Sequence, residues 1–270
     1  MSINVNSNVI SNTNFNTSGE IVNTPVFVTD GLVLWLDAGN NASYMNSSSY
    51  YDCGYGCQYY GSDPGCTNCS TQIKDMSGYG NDGTLSGATI VYDNYGGTMS
   101  FNGTTNFVQV SDSSSLTNTS TLSINIWFKL SAFDGALIGK GTSDTDEEYT
   151  IQVGATYIYF DVGIGSGPYT QPAASLSTDT WYNVSATHSR VAGSSTLIVY
   201  LNGVALAGST VNPTNTPNDN SYPVSIGRRW YNSQSTPSNG KIAIVQIYNR
   251  TLSSTEVLQN FNAGRQRFGI

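Results

Sequence analysis

All four cysteines of the chain fall in one stretch, YYDCGYGCQYYGSDPGCTNCST (50–71), as Cys53, Cys57, Cys66 and Cys69 in a C-x3-C-x8-C-x2-C pattern. Two chemistries suit it. Cys66 and Cys69 have the two-residue spacing of a thiolate knuckle, which favours a structural zinc ion. Cys53 and Cys57 have three residues between them and no Lys or Arg nearby to favour thiolates, which leaves two disulfides equally open. Three pairings are then available, and spacing does not choose among them. Either crosslink would staple a loop with few aliphatics and present Tyr55, Tyr59 and Tyr60 at an outer surface or a subunit contact.

The second constellation is SDTDEEYT, where Asp144, Asp146 and Glu148 share a face if the stretch is extended. Carboxylates placed that way can serve as nucleophile and acid in glycoside hydrolysis. Here they precede a strand in a Gly/Ser/Thr loop, where like charges are best solvated. The expectation is a solvated acidic loop, with calcium the ion its oxygens would suit, and no catalytic residues. The lone histidine, His188, has no nucleophile in recognisable relation to it and reads as structural or surface. No phosphate loop, dinucleotide fingerprint or His-rich metal motif occurs. Sugars stack on exposed aromatic faces, and Tyr169, Trp230 and Tyr231 are the candidate stacking residues. The competing role for loop aromatics is packing against neighbouring loops or subunits.

The elements that must position these residues are strands. The 270 residues are 38% hydrophobic and only 10% charged, with 18 Tyr, 9 Phe and 4 Trp to build a core. A net charge of −8 argues against nucleic acid, which needs clustered Lys and Arg. The first basic residue is Lys74, so a signal-peptide n-region is not expected, and no apolar run is long enough for membrane insertion. Residues 1–29 are polar, with Ile3, Val5 and Val9 in alternating phase. They read as an extended N-terminal arm that orders by adding strands to a partner.

From residue 30 onward the alternation is that of strands. In LSINIWFKL, Leu122, Ile124, Ile126, Phe128 and Leu130 point inward, opposite Ser123, Asn125, Trp127 and Lys129. EYTIQV and TYIYFDV read as a hairpin, and Asn202-Gly203 in TLIVYLNGVAL as a tight turn. Strands without intervening helices imply an all-β protein of two packed antiparallel sheets. One short helix is predicted near the C-terminus. Ser253 and Glu256 form its capping box, Leu252 and Val257 its staple, and Gly264 its stop, and it is expected to cover one edge.

The segments MSFNGTTNFVQVSDSSSL, LSINIWFKL, WYNVSATHS, LIVYLNGVAL, VSIGRRW and GKIAIVQIYNRTLSSTEVLQNF, in that order, resemble the laminin-G-like, concanavalin A-like jelly-roll family over residues 30–270. The resemblance implies a jelly-roll sandwich in which residues 50–71 are an insertion. Many members carry an acidic pair early in the last strand, where this chain has Ala243 and Ile244. Within the family, GLVLWLDAGNNASY, SGYGNDGTL and the C-terminal stretch look like structural proteins of tailed bacteriophages, especially those of marine or cyanobacterial hosts. That likeness implies a non-catalytic virion protein, a capsid decoration or head-fibre type, made in the host cytoplasm. Its arm would bind capsid or other virion proteins, and it would assemble as a homo-oligomer, with a trimer the expectation from phage symmetry. A tail-fibre or adhesion lectin binding host-surface glycans is the alternative. A released virion also lives outside the cell, where disulfides persist.

Overall fold

Alternating apolar residues form strands here because period two places every second side chain on one face, and two such faces shut out water together. A computed structural model describes residues 13–15, 21–23, 25–40, 43, 71–117, 120–142, 146–163, 169–191, 194–211, 219–229 and 236–270. In chain order the first strands are β1 (Thr13–Phe15), β2 (Ile21–Asn23), β3 (Leu32–Asp37), β4 (Gln72–Ile73), β5 (Gly83–Ser86) and β6 (Thr89–Asp93). Then come β7 (Gly96–Asn102), β8 (Phe107–Val110), β9 (Thr121–Ala132), β10 (Gly135–Lys140), β11 (Tyr149–Val153) and β12 (Ile158–Asp161). The last are β13 (Tyr169–Thr170), β14 (Tyr182–Val191), β15 (Ser194–Leu201), β16 (Val204–Val211), β17 (Val224–Ile226) and β18 (Asn239–Tyr248).

Among the described residues these make two antiparallel sheets. The first runs β16-β15-β14-β9-β18-β7-β6, with β3 paired to the second half of β18. The second runs β13-β12-β11-β10-β17-β8-β5-β4. β1 and β2 pair only with each other. The all-β, two-sheet expectation holds, and so does the inward set of β9: Leu122, Ile124, Ile126, Phe128 and Leu130 are buried in the core between the sheets. Asn202 and Gly203 both adopt positive φ (50° and 77°), which closes β15 onto β16 by a two-residue turn.

The helix α1 (Ser254–Phe268) starts as expected: Ser253 Oγ accepts from the Glu256 amide, and the Glu256 carboxylate accepts from the Ser253 amide. Leu252 and Val257 pack together with Tyr248. Two expectations need correction. The helix lies on the outer face of the first sheet, above β9 and β18, and not on an edge. Trp127 points outward from β9 and is buried there, its ring stacked on Phe268 (4.4 Å) and Phe261 (5.8 Å). Gly264 is no stop either, since the helix continues to a left-handed Gly269 at φ 73°. A Cβ at Gly264 would come within 2.6 Å of the Trp127 ring, so a glycine is what lets the helix sit this close. Ala243 and Ile244 join the same apolar layer, which accounts for the missing acidic pair: carboxylates there would be buried under the helix.

Val26, Phe27 and Val28, the end of the 1–29 segment, dock on this layer. The Val26 carbonyl accepts from Gln259, the Val28 amide donates to Asn260, and Phe27 packs edge-on against Trp35. His188 is wholly buried, with Nε2 3.1 Å from Ser195 Oγ. Burial, reinforced by Arg190, pushes its pKa down to about 4. As pH falls from about 6.5 to 4 the unfolded chain takes up a proton that the folded chain resists, so stability falls in that window. The expected loss is on the order of 3 kcal/mol at 1.36 kcal/mol per pH unit. Urea midpoints of wild type and His188→Gln across this range test it: parallel acid sensitivity in the two would rule out His188 as the sensor.

Candidate functional site

β12 and β13 lie at one border of the second sheet, and alternation turns Tyr157, Tyr159 and Asp161 to the outside while Ile158, Phe160 and Val162 enter the core. Tyr169 on β13 is 53% exposed and stacks on Tyr159, with ring centroids 5.4 Å apart and planes at 30°. The Tyr159 hydroxyl donates to Asp161 Oδ2 at 2.7 Å, and that of Tyr157 donates to Asp134 Oδ1 at 3.1 Å. Burial and the Asp161 charge push the Tyr159 hydroxyl well above the ordinary tyrosine range, so it remains a proton donor.

Arg229 also lies over Tyr159, its guanidinium 5.7 Å from the ring centroid. It is fixed by a fork to Glu147, with Nε to Oε1 at 2.9 Å and Nη2 to Oε2 at 2.8 Å. Two glycines allow this arrangement. A Cβ on Gly139 of β10 would fall 1.7 Å from the Arg229 carbonyl oxygen, and one on Gly163 would fall 1.3 Å from that of Glu147. The result is an aromatic shelf with hydroxyls, a carboxylate and a clamped cation at its rim. Such a surface offers an exposed apolar face on which a pyranose ring can stack.

Of the residues singled out for stacking, Tyr169 is on this shelf. Trp230 and Tyr231 follow Arg229 directly in the chain and lie outside the described residues, as do Asp144 and the cysteines Cys53, Cys57, Cys66 and Cys69. Tyr157, Tyr159, Asp161, Arg229 and Glu147 were missed. The alternation of TYIYFDV carried the signal for the first three, whereas the Arg229–Glu147 pair spans 82 positions and has no local trace.

The expectation of a solvated acidic loop is overturned: Glu148 is buried, and Asp146 and Glu148 turn to different partners. Asp146 caps the loop by accepting from the Thr142 amide and hydroxyl. Glu148 is buried and paired with the buried Lys140, whose Nζ also lies 3.1 Å from Asp112. Among the described residues no group of three or more His, Cys, Asp or Glu is disposed to hold a metal ion. The SGYGNDGTL motif is a backbone clamp. Asp75 accepts from the amides of Trp35, Ser77 and Asn81, and Asn81 donates to the Val33 carbonyl, tying the loop to β3. Among the described residues no helix is long and apolar enough to cross a membrane.

A family model described as the concanavalin A-like lectin/glucanases superfamily (Laminin_G_3) matches residues 102–258. No curated protein matches the chain by sequence. Several solved structures share the fold. The binding domain of Paraclostridial Mosquitocidal Protein 1 superposes with TM-score 0.59 at 17% identity over 87% of this chain and 52% of that one. Domain 4 of AbnA, an extracellular arabinanase from Geobacillus stearothermophilus solved with arabinotriose, gives 0.57 at 16% identity over 85% and 97%. The binding domain of Botulinum Neurotoxin DC in complex with SialylT gives 0.59 at 13% identity over 87% and 52%. The chain thus spans about half the length of the toxin binding domains it matches.

Proposed function

Since the chain belongs to the concanavalin A-like lectin/glucanases superfamily, whose model matches 157 of its 270 residues (102–258), we propose that it is a non-catalytic, lectin-like glycan-binding protein that uses the Tyr159–Tyr169 shelf. The observation that carries this reading is the exposed Tyr169 ring stacked on Tyr159, beside Asp161 and the clamped Arg229. A preorganised aromatic face loses little entropy on binding a sugar. The AbnA domain, in complex with arabinotriose, and the neurotoxin domain, in complex with SialylT, share the fold and lend support at that level.

Catalysis is not part of the proposal. Glu147 is committed to Arg229 and Glu148 to Lys140, so neither offers a carboxyl open to a glycosidic oxygen. Tyr169→Ala is expected to weaken glycan binding about tenfold, equivalent to ~1.4 kcal/mol, without shifting the unfolding midpoint. Titration of glycan-array hits against both proteins measures it. Undiminished binding by the variant would place the sugar elsewhere, and release of reducing sugar from a polysaccharide would make the protein a hydrolase.

The finer reading puts this module on a phage virion as a decoration or head-fibre protein, with a tail-fibre lectin as its alternative. It rests on the sequence likeness of GLVLWLDAGNNASY and SGYGNDGTL. Residues 1–24 would be the attachment element, because Val26–Val28 already belong to the sandwich. A chain starting at residue 25 is expected to fold and bind glycan yet fail to join particles. Incorporation of that truncated chain would count against the arm.

A further inference from the structure

The carboxyl end of β10 places a lysine, an asparagine and a carboxylate in contact, the lysine and the carboxylate buried and the asparagine half-buried. Lys140 pairs with Tyr149 of β11 and Val224 of β17, and its side chain is wholly buried. Its Nζ donates to Glu148, to the Asn220 carbonyl at 2.7 Å and to Asn220 Oδ1 at 3.2 Å. Glu148 is also wholly buried. The Asn220 carboxamide is held at both ends: Nδ2 donates to the Asp146 carbonyl at 2.7 Å, and Oδ1 accepts from the Tyr222 amide at 3.0 Å. Asp112 lies 3.1 Å from Nζ, with its side chain one-third exposed.

An ion pair alone would not need a carboxamide locked against the ammonium. We propose that Lys140 and Asn220 join through an intramolecular amide bond, with Glu148 as the proton carrier. The step opens with transfer of a proton from Nζ to Glu148, the carboxylate to which it already donates. The free amine then attacks Cγ of Asn220. Charge develops on Oδ1, where the Tyr222 N–H already points. Glu148 returns its proton to Nδ2 and takes another from Nζ as the Cγ–Nδ2 bond breaks. The Cγ–Nζ amide remains, and the released ammonia leaves as ammonium with Glu148's remaining proton. No oxidant or cofactor is needed, because fixed proximity makes the step unimolecular. Asp112 stays a carboxylate and accepts the surviving N–H. The bond ties the end of β10 to the segment entering β17, 80 positions along the chain.

Proteolysis of the native protein followed by mass spectrometry tests the proposal. The expected product is a branched peptide joining Lys140 to Asn220, lighter than its two parts by one ammonia. It should vanish in Glu148→Gln and in Lys140→Arg. Asn220→Ala removes the acceptor but keeps the Lys140–Glu148 pair, so it decides the matter if Glu148→Gln fails to fold. Separate recovery of unmodified Lys140 and Asn220 peptides from the folded protein would overturn the proposal. So would a link to Asp112 with loss of water, which would assign the acceptor elsewhere.

Discussion

Trp127→Ala is expected to lower the unfolding free energy by about 3–5 kcal/mol, the cost of deleting a large aromatic from a packed interior. The residue sits on the solvent side of β9 by alternation, yet it is fully buried against Phe261 and Phe268 of the helix, with Trp181 packed on Phe268 (4.5 Å). Truncation would remove the platform for the last half of α1 and leave a void that Gly264 has no side chain to fill. Leu258, 45% exposed on the same helix, is the control: Leu258→Ala should cost under about 0.5 kcal/mol. Urea unfolding followed by near-ultraviolet circular dichroism compares the two. Equal effects would mean that the helix is not an integral third layer.

Glu148→Ala should be comparably severe, at about 3–5 kcal/mol, because it removes the buried carboxylate that pairs with the buried Lys140 ammonium. A loss of that size lowers the thermal midpoint by roughly 10 °C in a chain this long. Loss of the proposed amide would add to the drop. Replacing both partners, as Lys140→Met with Glu148→Leu, should recover much of the stability, because no unpaired charge is then buried. If the single and double variants melt together, the cost lies in packing and not in the orphaned charge.

The helix start shows where local and global effects part. Ser253, Glu256, Leu252 and Val257 act within a few residues of one another, so the cap and staple were legible in the chain. Arg250, six positions before Glu256, adds to the local set: its guanidinium holds the Glu256 carboxyl down at about 2. The helix stop was not legible. Gly264 looks like a terminator until Trp127, 137 positions earlier, is found lying against it.

What the sequence by itself determined is the strongly alternating strands such as β9, β11 and β12, the inward face of β9, the Asn202-Gly203 turn and the all-β class, because period-two burial and turn chemistry act between near neighbours. It also placed Tyr169 among the candidate stacking residues. Only the tertiary structure decided that Trp127 faces a helix instead of water, that Glu148 meets Lys140 while Asp146 turns to Thr142, and that Arg229 reaches Glu147 beside Tyr159. Each of these depends on which strand lies next to which, and on backbone approach at Gly139 and Gly264. Such pairings are set by the packing of the whole sandwich, so no short window of residues contains them.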